Sequence, residues 1–362
     1  MQYHSCRHRS CPLCNALPKE QWVQKQFQRL LATDHYHVIF TVPHELLLLW
    51  RYNQRWFADT QFRVVSETLM TLAKEKKHLG AIPGMILSLH TWGRNLSLHP
   101  HIHCLITGGG LSSDGTWRRV KHDFLFPARV VRALYRGKFL SALWQGLRSG
   151  ELHVPPHLTD ASQGQCFKQL ARKKWNVRIQ PPYSHGQGVM KYLARYVKGG
   201  PISNHRITQA DHKEVSFVYK DHRDGQTKTQ RLSTPHFIER VLDHIAEPRQ
   251  HVIRHYGLYG HQAKAKRQLC RQQLGQPDEQ DSQDLNWTDY LDQQSNEAAA
   301  KCKRCGKQLV RGVTVGKNSI YKVWGSGYVQ PAVQADISTW QSDRHKPPER
   351  PVNFFGGSMP LN

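Results

Sequence analysis

The chain has no long hydrophobic run. Its cleanest apolar stretch, around Leu46–Trp50, falls far short of the ~20 residues that a membrane-spanning helix requires, which excludes such a protein. It is also poor in acid. Against 51 Lys and Arg stand 27 Asp and Glu, a formal net charge of +24 over 362 residues, so polyanions are the first partners to consider. Two windows, Leu79–Ser113 and Ala161–Ala210, hold no carboxylate at all, and the second holds nine Lys and Arg. There is no Walker A sequence for a nucleotide-driven motor, no internal repeat, and neither a secretory nor a transit signal at Met1–Cys6, so a cytoplasmic location is expected. In a reducing compartment the eight cysteines read as metal ligands or core residues rather than disulfides. At 38% hydrophobic the chain can still build two or three cored domains. What it has in excess is histidine, 23 residues, roughly three times ordinary usage.

A surface that excludes carboxylates suits phosphates, because each neutralised phosphate releases counterions and each misplaced acid repels the strand. Trp175, Tyr183, Tyr192 and Tyr196 are interleaved with the second basic window, a mixture better matched to stacking on unpaired bases than to reading a duplex groove. Single-stranded nucleic acid is the expected partner, and no small-molecule cofactor is called for. Beyond His261 the sequence turns Gln-, Asp- and Ser-rich, which reads as a linker and a loosely folded tail.

Strands are expected over His35–Thr41, Met85–Thr91, His101–Thr107 and Trp175–Gln180, with a hairpin pairing Val215–Lys220 and Thr227–Leu232 around Asp224-Gly225. Helices are expected over Glu45–Lys77 (two), Pro127–Leu147, Val189–Lys198 and Pro235–Ile245. Strands mixed with helices, without strict βαβ alternation, predict an α+β fold with an antiparallel sheet and flanking helices.

The densest chemical cluster is His99-Pro100-His101-Ile102-His103. On a strand His101 and His103 project to the same face, a chelating pair for a divalent ion or, alternatively, two histidines on a half-exposed strand. A third ligand is needed. His99 lies about 13 Å from His103 along a strand, too far for one ion. A hairpin turning near Asn95-Leu96 would instead set His90 opposite His101 on one face, and His185 and Gln187 are reserves. The second cluster is Lys191-Tyr192-Leu193-Ala194-Arg195-Tyr196-Val197-Lys198. Tyrosines at i and i+4 share a helical face, which serves packing or nucleophilic attack on a phosphodiester. A phenol with its usual pKa near 10 needs help from neighbouring cations such as Lys191, Arg195 and Lys198, or from a metal ion on the phosphate.

His101-Ile102-His103 followed by the Tyr192/Tyr196 helix resembles the HUH endonuclease superfamily, and within it the two-tyrosine transposases of the IS91 family. Leu89-His90-Thr91-Trp92-Gly93, Gly108-Gly109-Gly110 and Arg254-His255-Tyr256-Gly257-Leu258 agree in order and spacing, and the resemblance spans roughly Tyr36–His261. It implies an HUH-like core in a prokaryotic, nucleoid-associated protein. His101 and His103 would hold Mg²⁺ or Mn²⁺, and Tyr192 and Tyr196 would form 5′-phosphotyrosine links in a rolling-circle-like transposition of single strands. His90 as third ligand rests on the hairpin geometry, not on the resemblance. DNA contacts are expected from Arg172, Lys173 and Lys174 as well as Lys191, Arg195 and Lys198.

Cys6, Cys11 and Cys14 stand as C-x4-C-x2-C, spacing suited to zinc. They resemble the second half of the family's N-terminal zinc domain. His4 or His8 completes the site, or the start is misassigned, or the copy is truncated. Cys302 and Cys305 form another knuckle, and Cys104, Cys166 and Cys270 read as core or incidental. The expected parts are a partial zinc-binding domain over 1–30, the catalytic domain over 35–262, and a polar C-terminal region over 263–362. A plasmid or phage replication initiator, or a relaxase, would share the same chemistry. A zinc-containing DNA-binding regulator without cleavage is the non-enzymatic alternative.

Overall fold

The computed structural model describes residues 14–279 apart from 123, 156–159, 185–187, 189–199 and 222, together with 11, 285 and a strand pair near 325. Two units separate after Leu285. In the second, 286–362, the described elements are β10 (Tyr321–Val323) and β11 (Val329–Pro331), an antiparallel pair with Lys322 opposite Gln330. All that follows concerns the first unit.

Its frame is an antiparallel sheet in the order β5-β1-β3-β2-β9, built from β1 (His35–Thr41), β2 (Ile82–Trp92), β3 (Leu98–Leu111), β5 (Val177–Ile179) and β9 (Ile253–Gly257), with β4 (Trp117–Arg119) paired to the far end of β3. Alternation along these strands sorts the side chains into two faces. Val38, Phe40, Leu87, Leu89, Ile102, Cys104 and Ile106 lie in one core, against α3 (Gln54–Lys74) and α4 (Ala128–Arg148). The helices supply Phe57, Phe62, Val65, Leu69, Tyr135 and Phe139, at the three- and four-residue spacing of an amphipathic helix. Short α2 (Leu47–Tyr52) and α5 (Asp160–Arg172) flank them. Trp175 closes this layer edge-on to Tyr135, ring centroids 5.4 Å apart, and its indole N–H donates to the Leu170 carbonyl at 3.0 Å. Each fully buried ring contributes on the order of 1.5–3 kcal/mol.

The other face of the sheet carries a second packed layer. α1 (Ala16–Arg29) and α7 (Lys264–Gln273) lie over Ile86 and Leu105, adding Val23, Leu30, Leu31, Leu258, Tyr259 and Cys270 to a second core. The polar contacts beneath are paired. His35 Nδ1–H donates to the Thr33 carbonyl (2.9 Å), which leaves Nε2 to accept from the Tyr259 hydroxyl (2.7 Å), and that oxygen accepts from the Leu31 amide (3.2 Å). The region expected to be a linker from 263 onward thus begins with a packed helix. Arg271 donates to the carbonyls of Gln28 and Leu30, and Gln276 also donates to Leu30, so α7 and the turn after it hold the C-terminal end of α1. Its apolar content is too small to show in the sequence because guanidinium-to-carbonyl bonds do part of the holding.

A smaller sheet, β6 (Ile207–Ala210), β7 (Glu214–Lys220) and β8 (Thr227–Ser233), packs with α6 (Thr234–Leu242) around Phe217, Leu232 and Phe237. Its core also takes in Leu96, from the tip of the β2–β3 hairpin. Leu96 sits at φ +61° with its side chain fully buried. The left-handed backbone costs a non-glycine residue about 1–2 kcal/mol, which burial of the leucine offsets. The tip is further gripped through its carbonyls. Arg206 donates to Arg94 O, Arg240 to Asn95 O (3.4 Å) and His244 Nε2 to Leu96 O (3.2 Å).

Helices α1, α5 and α7 and strands β4, β6 and β9 have no counterpart in the sequence expectations, whereas the other described strands and helices fall within a few residues of the expected spans. The helix expected over Val189–Lys198 lies outside the described residues. No described helix is long and apolar enough to cross a membrane.

Candidate metal centre

Beside that layer the same face of the sheet carries histidine. In the β2–β3 register His90 stands directly opposite His101, with an irregularity immediately beyond, between His90 and Trp92. His101 and His103 follow each other on the same face of β3. The ligand-capable nitrogens of His90, His101 and His103 all lie within 4.8 Å of one another. His90 and His103 are buried, His101 partly so.

Tautomers follow from the partners. His101 Nδ1 is 2.6 Å from the His99 carbonyl. A carbonyl only accepts, so Nδ1 carries the proton and Nε2 carries a lone pair. That lone pair faces His103 Nε2 at 3.0 Å. On the far side of the His103 ring, Nδ1 is 2.7 Å from His37 Nε2. With the shared proton on His37, His103 Nε2–H donates to the His101 lone pair; with it on His103, two lone pairs face each other at this distance, the arrangement that a cation between them stabilises. Two cis ligands each about 2.1 Å from one cation stand about 3.0 Å apart. The residues present therefore fit a metal ion.

The electrostatics agree. Burial, then the neighbouring His90, lowers the His101 pKa to about 3. Burial, then His101 and Arg178, lowers that of His37 to about 4. His103 is driven lower again by burial and by His90, His101 and His37. At neutral pH these rings are uncharged, the form that binds a metal. Trp92 stacks on His90 with ring centroids 4.4 Å apart and planes 16° from parallel, fixing the plane of the third ring.

Other expected residues are distributed as follows. Cys11 and Cys14 lie on one turn, with the Cys14 amide 3.5 Å from Cys11 Sγ and the Asn15 amide 3.0 Å from the Cys11 carbonyl. Cys6, His4, His8, Cys302 and Cys305 are outside the described residues, as are Tyr192, Tyr196, Lys191, Arg195, Lys198, His185 and Gln187. Arg172, Lys173 and Lys174 are exposed at the end of α5. Lys173 and Lys174 line a cleft with His99, Arg51 and Thr41. Lys173 pairs with Glu45 at 2.5 Å and holds that carboxyl below its usual range, so an acid from outside the acid-free window does reach it. Of the lone cysteines Cys104 and Cys270 are buried and Cys166 partly so. His37 was not anticipated. Its alternation with His35 was visible, but its partner depends on the pairing of β1 with β3, which sets Ile39 opposite His103 and His37 one step along the same face.

Residues 84–267 match the family model described as "Putative transposase", and residues 1–42 match the "Transposase zinc-binding domain". The chain is 36% identical over 280 residues to "Putative transposase y4qJ" of Sinorhizobium fredii, covering 75% of this chain and 70% of that one. The chain belongs to the IS91 family of transposases. A further relative, the transposase for insertion sequence element IS801 of Pseudomonas savastanoi pv. phaseolicola, is 31% identical over 263 residues, covering 70% of this chain and 61% of the relative. Among solved structures, the conjugative relaxase TrwC complexed with a 27-mer DNA is 17% identical, covering 39% of this transposase and 66% of that chain, at a TM-score of 0.24, a likeness that carries no weight for the chemistry. Family membership favours a transposase over the replication initiator or relaxase that the residues alone had left open. With a zinc-binding domain and a histidine triad the transposase is built to hold metal.

Proposed function

We propose that the transposase cuts and rejoins single-stranded DNA at the ends of its element, using Tyr192 and Tyr196 as nucleophiles and His90, His101 and His103 as ligands of a divalent cation. The observation that carries this reading is the convergence of three imidazoles from two paired strands on one face of the sheet. Of Mg²⁺ and Mn²⁺, an all-imidazole set suits Mn²⁺ better, since Mg²⁺ prefers oxygen ligands. Once bound, the cation supplies positive charge against a non-bridging oxygen of the scissile phosphate and makes the phosphorus more electrophilic.

The remaining work falls to the chain. A tyrosine oxygen forms a bond to phosphorus as the bond from phosphorus to the 3′ oxygen breaks. The phenol proton is given up, and the departing 3′ oxygen takes one. The strand is left with a 3′ hydroxyl and the tyrosine with the 5′ phosphate. Attack of a 3′ hydroxyl on that phosphotyrosine reverses the exchange, one ester for another, so no nucleotide hydrolysis is needed. Two tyrosines one helical turn apart allow one link to be held while a second is made. Lys191, Arg195 and Lys198 lie in the same expected helix and would stabilise phenolate, and Arg172, Lys173 and Lys174 would hold the strand. Cys6, Cys11, Cys14 and His8 would bind Zn²⁺, and the Cys11–Cys14 turn supports this.

The test is covalent trapping on single-stranded element-end oligonucleotides with Mn²⁺ or Mg²⁺. Wild type should give an adduct that survives SDS, lost in the Tyr192→Phe/Tyr196→Phe double variant and in His101→Ala. An adduct that persists in the double variant refutes the nucleophiles. No adduct from a wild type that still binds the DNA favours the non-cleaving regulator.

A further inference from the structure

Beside the triad a cavity of about 600 Å³ opens, lined by His90 and Trp92 from β2 and by Trp22, Lys25 and Arg29 from α1. Several parts of the chain build it. α1 gives Trp22, Lys25, Gln26 and Arg29, β2 gives Ser88 and His90, and the segment between α6 and β9, the α2–α3 region at Trp50 and Gln54, and Gly200-Pro201 add further wall. α1 starts two residues after Cys14, so the helix that follows the zinc cysteines is itself a wall of the cavity next to the metal centre.

The lining has a definite chemistry. Indole and aliphatic surface predominates, and cations stand at the rim: Lys25 is exposed, and Arg29 is largely covered, with its Nε 3.4 Å from Glu279. Among the described residues the one carboxylate in the lining is Asp243, which is turned to Arg51 at 3.4 Å. Amide and imidazole groups sit deeper, with His255 Nε2 donating to Gln26 Oε1 at 2.9 Å. Flat aromatic wall, polar floor and cationic rim together match a nucleobase with its phosphate, and the volume is that of a small-molecule pocket, ~300–1,000 Å³, far too narrow for a duplex.

We propose that this cavity receives an unpaired base of the DNA strand adjacent to the scissile phosphate, stacked on Trp22 with its backbone phosphate toward Lys25 and Arg29. The inference rests on the single-strand cleavage reading above and adds to it that the zinc-proximal helix is part of the catalytic cleft rather than a separate tether. A base held in a cavity that His90 itself lines fixes which phosphate reaches the triad, so this cavity sets the cleavage position.

The experiment uses the full chain without divalent cation, so that binding is read apart from chemistry. Short single-stranded oligonucleotides of the element end carry 2-aminopurine, and in a parallel set an abasic site, at successive positions. One position near the cleavage site should show strong quenching, and the abasic site there should weaken binding about 5- to 100-fold, the size of a lost base–aromatic stack. Trp22→Ala should abolish that quenching and Trp22→Phe should keep most of it. Lys25→Glu, at an exposed position that does not threaten folding, should weaken binding and lower the salt slope by about one or more. His101→Ala should leave the quenching intact while losing the adduct. Quenching spread evenly over all positions, or unchanged in folded Trp22→Ala, overturns the proposal even if adducts form. Localised quenching without any adduct upholds the cavity and overturns the cleavage reading instead.

Discussion

Replacing His37 by Phe tests how far the metal centre depends on a residue that does not itself reach the ion. The substitution keeps a flat ring in a buried site, 3% exposed, and removes the acceptor 2.7 Å from His103 Nδ1. Without it the proton on Nδ1 is no longer favoured over one on Nε2, and the His103 ring loses a contact that sets its angle. Partners that orient a ligand in this way are worth about 10- to 100-fold in metal affinity. Taking 30-fold, and a Mn²⁺ concentration 100 times the wild-type Kd, linkage gives about 2.7 kcal/mol of cation-induced stabilisation for wild type. The variant, at about 3 times its own Kd, retains about 0.9 kcal/mol. At roughly 3 °C per kcal/mol for a domain of this size, the cation-induced rise in Tm falls from about 8 °C to about 3 °C. Thermal unfolding with and without Mn²⁺, together with direct titration of the ion, reads this out. His37→Gln, which restores an acceptor, should recover part of the loss, and His103→Ala should remove the response. If His37→Phe shows the full wild-type rise while His103→Ala shows none, His37 does not position His103 and the tautomer assignment is wrong.

Phe139→Ala should cost about 3–5 kcal/mol, because the ring is fully buried between the sheet and Trp175, and urea unfolding should show it as a lower midpoint with the slope unchanged. Gly257 lies at φ +58°, where a Cβ would overlap the Pro83 carbonyl oxygen, so Gly257→Ala should destabilise by more than about 1 kcal/mol; a neutral result in the same assay would mean that β9 is not seated against β2 in this way. His255 is held neutral by burial, then by Arg29 and His261, with its pKa lowered to about 4. Because the folded-state value is depressed, the unfolded chain binds more protons below pH 6.5, and this contribution is full above 6.5 and lost as the pH falls toward 4, up to about 3 kcal/mol. His255→Asn should flatten that part of the stability profile relative to wild type, and an unchanged acid limb would refute the assignment.

The hairpin that carries the triad was readable because two β-rich runs flank a short polar turn, and antiparallel pairing across such a turn leaves few registers. His90 opposite His101 follows from that alone. Contacts between segments distant in the chain were not readable. His37 needs β1 beside β3, and β9 is five residues, Ile253–Gly257, whose alternation is too short to separate from a loop. α1 and α7 escaped because each buries little apolar surface of its own and is secured by bonds such as Arg271 to Leu30, which involve a backbone group that every residue type shares.

The same property governs the tip of the β2–β3 hairpin. Arg206, Arg240 and His244 hold it by the oxygens of Arg94, Asn95 and Leu96, and of those three side chains only that of Leu96 is buried in the small sheet's core. The side chains of residues 94 and 95 make only exposed contacts, Arg94 to the Lys220 carbonyl and Asn95 to Ser97, so the grip on the tip depends on them less than on its backbone. The small sheet lies in the chain well after the β2–β3 hairpin, so a later module of the sequence steadies the hairpin that carries the histidines. Exchanging residues 200–250 between family members would transplant the grip on the hairpin, and exchanging the turn residues would not.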